Sequence, residues 1–113
     1  MKSPITTHVL DTALGKPAAG MSVLLEQLHD DHFHDVGEGV TNDDGRVLDL
    51  MEPGSLEEGM YRLSFDVESY FERLGVASFY PLVTIDFEVT NAEEHYHVPL
   101  LLSPYGYSTY RGS

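Results

Sequence analysis

The chain contains no cysteine. That excludes disulfide staples, thiolate nucleophiles and cysteine-ligated zinc. Basic residues are scarce: six lysines and arginines face 19 aspartates and glutamates, a formal net charge of −13. Phosphate backbones and anionic bilayers are bound by basic faces, so neither nucleic acid nor a membrane is an expected partner. No apolar run approaches the roughly 18 residues that mark a spanning helix, and the opening MKSPITTHVLD has no apolar h-region. These features lead us to expect a soluble, cytoplasmic protein. No G-x-S-x-G, phosphate-binding loop or G-x-G-x-x-G occurs. A length of 113 residues suits one domain, 1–113, with a single core.

What is present is mostly strand signal. Ile5–Leu10 is rich in Ile, Thr and Val. Its alternation sets Thr6, His8 and Leu10 on one face and Ile5, Thr7 and Val9 on the other. Gly15–Pro17 reads as a turn, Ser22–Leu28 as a strand, and the polar His29–His34 as a loop. Val36–Thr41 carries Gly37 and Gly39 and reads as a weak or bulged strand. Asn42-Asp43-Asp44-Gly45 is a strong turn that delivers Arg46 at its exit. Met51–Gly59 is loop; Met60–Phe65 alternates with Tyr61, Leu63 and Phe65 inward. Asp66 then caps a short amphipathic helix with Val67, Tyr70, Phe71 and Leu74 on its apolar face, closed by Gly75. Val83–Val89 alternates cleanly, and Tyr96–Leu102 and Tyr105–Tyr110 are the last strands. Seven to eight short strands with one helix predict an all-β sandwich. Pro99 cannot donate to a ladder and is expected at an edge or bulge.

Titratable groups sit among these strands. His8 shares a face with Leu10, while His95 and His97 share one with Pro99 and Leu101. A lone strand histidine is more often a satisfied or surface side chain than a catalyst, and Arg46 after Asp-Gly reads equally as a solvated turn residue. Together they offer more. Hydrolysis of a cyclic amide needs a water, a proton acceptor and a cation or donor near the developing oxyanion, and neutral histidines with an arginine supply these without a metal or cofactor. His29, His32 and His34, near Asp30, Asp31 and Asp35, match no HExxH spacing and sit in the expected loop. Glu57-Glu58 and Glu93-Glu94 fall in turns and read as solvated surface.

The final stretch, HYHVPLLLSPYGYSTYRGS, stays aromatic and β-prone almost to Ser113, where a polar tail is the usual pattern. It is similar to the C-terminal signature of the 5-hydroxyisourate hydrolases, transthyretin-like proteins of urate breakdown. The terminal Tyr-Arg-Gly-Ser, the early T-H-V-L-D with G-x-P-A and the central D-G-R carry the resemblance over nearly the whole chain. It implies a transthyretin-like β-sandwich, assembled as a homotetramer (a dimer of dimers) with sites in the channel between dimers. It implies hydrolysis of the small-molecule substrate 5-hydroxyisourate to 2-oxo-4-hydroxy-4-carboxy-5-ureidoimidazoline, with no cofactor and no metal. The site residues it implies are His8, Arg46, His97 and the terminal Tyr110, Arg111, Gly112 and Ser113. In that reading His8 and His97 position and deprotonate the water, Arg46 binds substrate oxygens, Ser113 completes the pocket and Tyr110 is a wall. Alternation along the last strand puts Ser108, Tyr110 and Gly112 on the channel face and Arg111 on the other. A non-catalytic small-ligand carrier of the transthyretin kind is the alternative, and an adhesion-type sandwich would leave the histidines unrelated in space.

Overall fold

The computed structural model describes residues 2–113. Two sheets face each other. The first is built from β1 (Ile5–Asp11), the two-residue β2 (Lys16–Pro17) and β5 (Arg46–Val47), β8 (Tyr96–Ser103) and β9 (Gly106–Thr109). The second runs β4 (His32–Val40), β3 (Ser22–His29), β6 (Gly59–Phe65), β7 (Val83–Val89). The single helix among the described residues, α1 (Val67–Arg73), follows β6. The two very short strands fall where a turn and a loop exit were expected. β1 lies between β8, which it pairs in parallel, and the two short strands, which it pairs antiparallel.

Alternation decides what each strand buries. Ile5, Thr7 and Val9 of β1, Tyr61, Leu63 and Phe65 of β6, and Tyr96, Val98, Leu100 and Leu102 of β8 face the core. Thr6, His8 and Leu10, with His97, Pro99 and Leu101, therefore face outward from the first sheet. In the helix Val67, Tyr70 and Phe71 are buried, but Leu74, expected on the same face, is exposed. It is the C-cap, and Gly75 turns the chain out with φ +70° before a further turn can bring Leu74 onto the core. Asp66 caps the N-terminus by accepting from the Ser69 N–H at 3.2 Å.

The His29–His34 segment is not a loop. β3 and β4 pair as far as His29↔His32, joined by Asp30 and Asp31, both at positive φ, the two-residue turn whose twist matches the flanking strands. The polar composition that suggested a loop reflects exposure rather than irregular backbone. β4 is bulged, as its glycines predicted: Leu25 pairs Gly37 and Glu26 pairs Asp35, leaving Val36 as the extra residue. Gly37 is required there because a Cβ would run into the Leu50 carbonyl.

Pro99 sits in β8, an interior strand of its sheet, opposite His8. Its carbonyl accepts from the Thr109 hydroxyl at 2.7 Å, on the β9 side. Because N and O of a strand residue point the same way, its missing N–H also faces β9, where the ladder ends at Leu100↔Thr109. No ladder bond is lost.

Candidate functional site

The Asn42–Gly45 turn fixes the first part of the site. The Asn42 side-chain oxygen accepts from the N–H groups of Asp44 and Arg46 at 2.9 and 3.0 Å, and the Gly45 N–H closes on the Asn42 carbonyl at 2.8 Å. Gly45 in turn accepts from the Val9 N–H at 2.7 Å. This seats Arg46 directly opposite His8 across the β5–β1 ladder. Parallel pairing of β1 with β8 then places Thr6 beside His97.

These residues converge. A pocket of about 230 Å³ on the outer face of the first sheet is lined by Lys2, Thr6, Arg46, Leu48, His95, His97 and Ser113. Thr6 is 4% exposed, and its hydroxyl bridges two imidazoles: Oγ1 lies 2.9 Å from His97 Nδ1 and 3.0 Å from His95 Nε2. Gly112 closes the other side of His97. Its N–H donates to the His97 carbonyl at 2.8 Å, and a Cβ on it would stand 2.6 Å from His97 Cδ2. Only glycine permits this approach.

The electrostatics follow from the packing. Burial lowers the His97 pKa below its ordinary value, and the Arg46 cation lowers it further, followed by His8 and His95. His8 is lowered by burial and then by Arg46, partly offset by the Asp44 backbone. Both imidazoles are thereby held neutral, the form that accepts a proton. Two of the six basic residues of an otherwise acidic chain, Lys2 and Arg46, line this pocket. The arrangement can hold an electron-rich, oxygen-bearing ligand and remove a proton from a water beside it.

The structure thus brings together Arg46, His97, Gly112 and Ser113, with His8 adjacent to Arg46. It does not bring Tyr110 and Arg111 into this pocket. Alternation fails at the end of the chain because β9 stops at Thr109. Tyr110 and Arg111 instead line a separate cleft of about 280 Å³ with Phe87, Glu88 and Tyr96. The Arg111 guanidinium lies over the Tyr96 ring, 4.4 Å from its centroid, and donates to Glu94 and to the His95 carbonyl, both at 3.3 Å. Thr6, Lys2 and Leu48 were not singled out by the sequence, and His95 only as a neighbour of His97. The signal for Thr6 was its alternation with His8; its pairing with β8 is a tertiary fact. His29, His32 and His34 lie at the exposed tip of the β3–β4 hairpin, far along the other sheet. Among the described residues no three histidines or carboxylates are gathered in a metal-holding arrangement. A larger, open groove of about 910 Å³ crosses the outer face of the second sheet, but its arginine, Arg62, is already paired with Glu26 at 3.0 Å and stacked on Phe33.

Comparison with known proteins gives a consistent result. The sequence model described as the HIUase/Transthyretin family matches residues 5–112. A 5-hydroxyisourate hydrolase of Rhizobium meliloti is 51% identical over 114 residues, covering 96% of this chain and 95% of that protein. The structure of Klebsiella pneumoniae 5-hydroxyisourate hydrolase superposes with a TM-score of 0.84 at 34% identity, with both chains fully covered. Sea bream transthyretin, solved in complex with thyroxine, superposes with a TM-score of 0.91 at 28% identity, covering 97% of this chain and 95% of that one.

Proposed function

Since this chain belongs to the HIUase/transthyretin family, we propose that it hydrolyses 5-hydroxyisourate to 2-oxo-4-hydroxy-4-carboxy-5-ureidoimidazoline, a step of urate degradation. The observation that carries the reading is the convergence of His97 and Arg46 on one small pocket, with His8 paired to Arg46 beside it and both imidazoles lowered in pKa. Its relatives in other organisms bear the hydrolase name at about half identity. The reaction is the opening of a cyclic amide by water. His97 takes the water proton at its pocket-facing nitrogen, Nδ1 being engaged by Thr6. The Arg46 guanidinium, with His8 beside it, receives the negative charge that develops on the attacked carbonyl oxygen, a role suited to preorganised donors. Ser113 and Gly112 close the pocket against His97. Tyr110 and Arg111 act on the site through the shape of the chain end, whose path Arg111 anchors on Glu94 and Tyr96.

The catalytic unit is a single domain, 1–113, working in the cytoplasm as a dimer of dimers. The pocket lies on the outward face of a sheet, and a second copy laid across that face would roof it. The carrier reading draws on the thyroxine-bound sea bream neighbour. Against it stands the polarity of the pocket: a carrier of a largely apolar ligand has no use for a neutral imidazole pair beside a guanidinium. The deciding experiment follows the decay of freshly generated 5-hydroxyisourate in the ultraviolet with and without the protein. Acceleration well above the spontaneous rate is expected; decay at the spontaneous rate, with tight binding retained, would establish the carrier.

A further inference from the structure

Opening a cyclic amide at neutral pH leaves a carboxylate and a urea-type nitrogen. That nitrogen leaves poorly as an anion, so a proton taken up when the water attacks has to be given back to it as the carbon–nitrogen bond breaks. His97 is half-buried, and Gly112 seals one side of its ring. Its Nδ1 meets the Thr6 hydroxyl at 2.9 Å, and the same hydroxyl meets His95 Nε2 at 3.0 Å. His95 is exposed in the isolated chain. A hydroxyl owns one proton. Bridging two imidazole nitrogens, it donates to one and accepts from the other, so the tautomers of the two rings are locked together.

We infer that Thr6 and His95 form a proton relay that fixes the tautomer of His97, letting one proton out to solvent as the water is deprotonated and drawing one back as the leaving nitrogen is protonated. The inference rests on the hydrolase reading above. In the resting state the nearby Arg46 cation favours a bare Nε2 on His97 facing the pocket. His97 Nδ1–H then donates to Thr6, Thr6 O–H donates to His95 Nε2, and His95 carries its proton on Nδ1. When water attacks the carbonyl, its proton goes to His97 Nε2. The Nδ1 proton of His97 passes to Thr6 Oγ1 as the Thr6 proton passes to His95 Nε2, and His95 releases its Nδ1 proton to solvent. Every transfer is matched, and His97 is left neutral with its proton on Nε2. As the carbon–nitrogen bond breaks, that proton goes to the leaving nitrogen, and the chain resets by drawing one proton from solvent at His95 Nδ1. The net loss of one proton is supplied by ionisation of the product acid.

Thr6 and His95 are positioning residues, since neither is asked to touch the reacting carbon. Three variants test them. Thr6→Val keeps the shape and removes the hydroxyl; kcat should fall about tenfold or more with little change in KM, and Thr6→Ser should restore most of it. His95→Ala should lose a similar factor and regain it as free imidazole is added, because the ring it replaces opens to solvent. In the unliganded protein, ¹⁵N spectroscopy of His97 should report the Nδ1–H tautomer in the wild type and a mixture in Thr6→Val, a readout that does not depend on turnover. Wild-type protein without activity would overturn the hydrolase reading, while an unchanged His97 tautomer in Thr6→Val would overturn the relay separately. Full kcat in folded Thr6→Val, or an imidazole-insensitive His95→Ala, would also sink the relay with the hydrolase intact.

Discussion

His8 and His97 reach the site from different strands, and each is held neutral by burial and by the neighbouring Arg46. Replacing either with alanine should lower kcat by about 10² or more in protein that still folds, measured by the 5-hydroxyisourate assay. Near-normal turnover in both variants would remove them from the mechanism. The pH profile carries a second expectation. A histidine whose pKa lies below the ordinary 6.5 stays in its base form at pH values where free imidazole is protonated. The acid limb of kcat/KM should therefore fall below pH 6.5. Arg46→Gln removes a cation that contributes to the depression, so the limb should move up toward 6.5 as activity drops; a limb that stays put would separate Arg46 from the titrating group. The sign for folding is the same. The native state binds fewer protons than the unfolded chain in this window, so these histidines withdraw stability as pH falls through 6.5. At this scale the sequence named His8, Arg46 and His97 but passed over Thr6, since a threonine on a strand carries no signal until its partner strand is known.

Elements turn those residues into a site. The Gly112 backbone docks on His97, so Gly112→Ala should push the ring off Thr6. Displacements of about 1 Å at a catalytic group cost up to roughly 10² in rate, and the loss should appear in kcat with the thermal unfolding midpoint nearly unchanged. Wild-type kcat would mean that the chain end yields instead. A buried hydrogen bond ties the helix to the first sheet: the Tyr70 hydroxyl donates to Asp11 Oδ2 at 2.8 Å, while Asp11 Oδ1 accepts from the N–H groups of Ala13 and Leu14, both at 3.0 Å. Burial and the bond to Asp11 raise the Tyr70 pKa far above that of an ordinary phenol. Tyr70→Phe strands a buried carboxylate oxygen and should cost about 1–3 kcal/mol of stability, read by denaturant unfolding, with catalysis retained. Helix and strands were legible because their periodicity is local. The β3–β4 turn was missed because Asp30-Asp31 lacks the glycine that usually marks positive φ. The fate of Leu74 depended on where the helix stopped.

At the scale of the whole molecule, the outward placement of the pocket makes assembly the central expectation. Light scattering should return four copies of the 12.6 kDa chain, and specific activity should fall when dilution separates them. A fully active monomer would detach catalysis from assembly. The high negative charge favours solubility and works against close association of like chains, so added salt should strengthen the assembly by screening. Such behaviour is measurable in the same dilution series.

The sequence alone determined most of the strand pattern, the core face of β6, which residues share a face in β1 and β8, the capped helix and the family signature, because each is written in contiguous residues. Only the tertiary structure decided that Thr6 bridges His95 and His97, that Arg46 sits against His8, and that Tyr110 and Arg111 turn away from Gly112 and Ser113. Those facts depend on a parallel pairing between segments some 90 residues apart and on the point at which β9 leaves its ladder. Neither the register of two distant strands nor the end of a ladder is encoded in local alternation, which fixes a residue's face and leaves its neighbours to the packing.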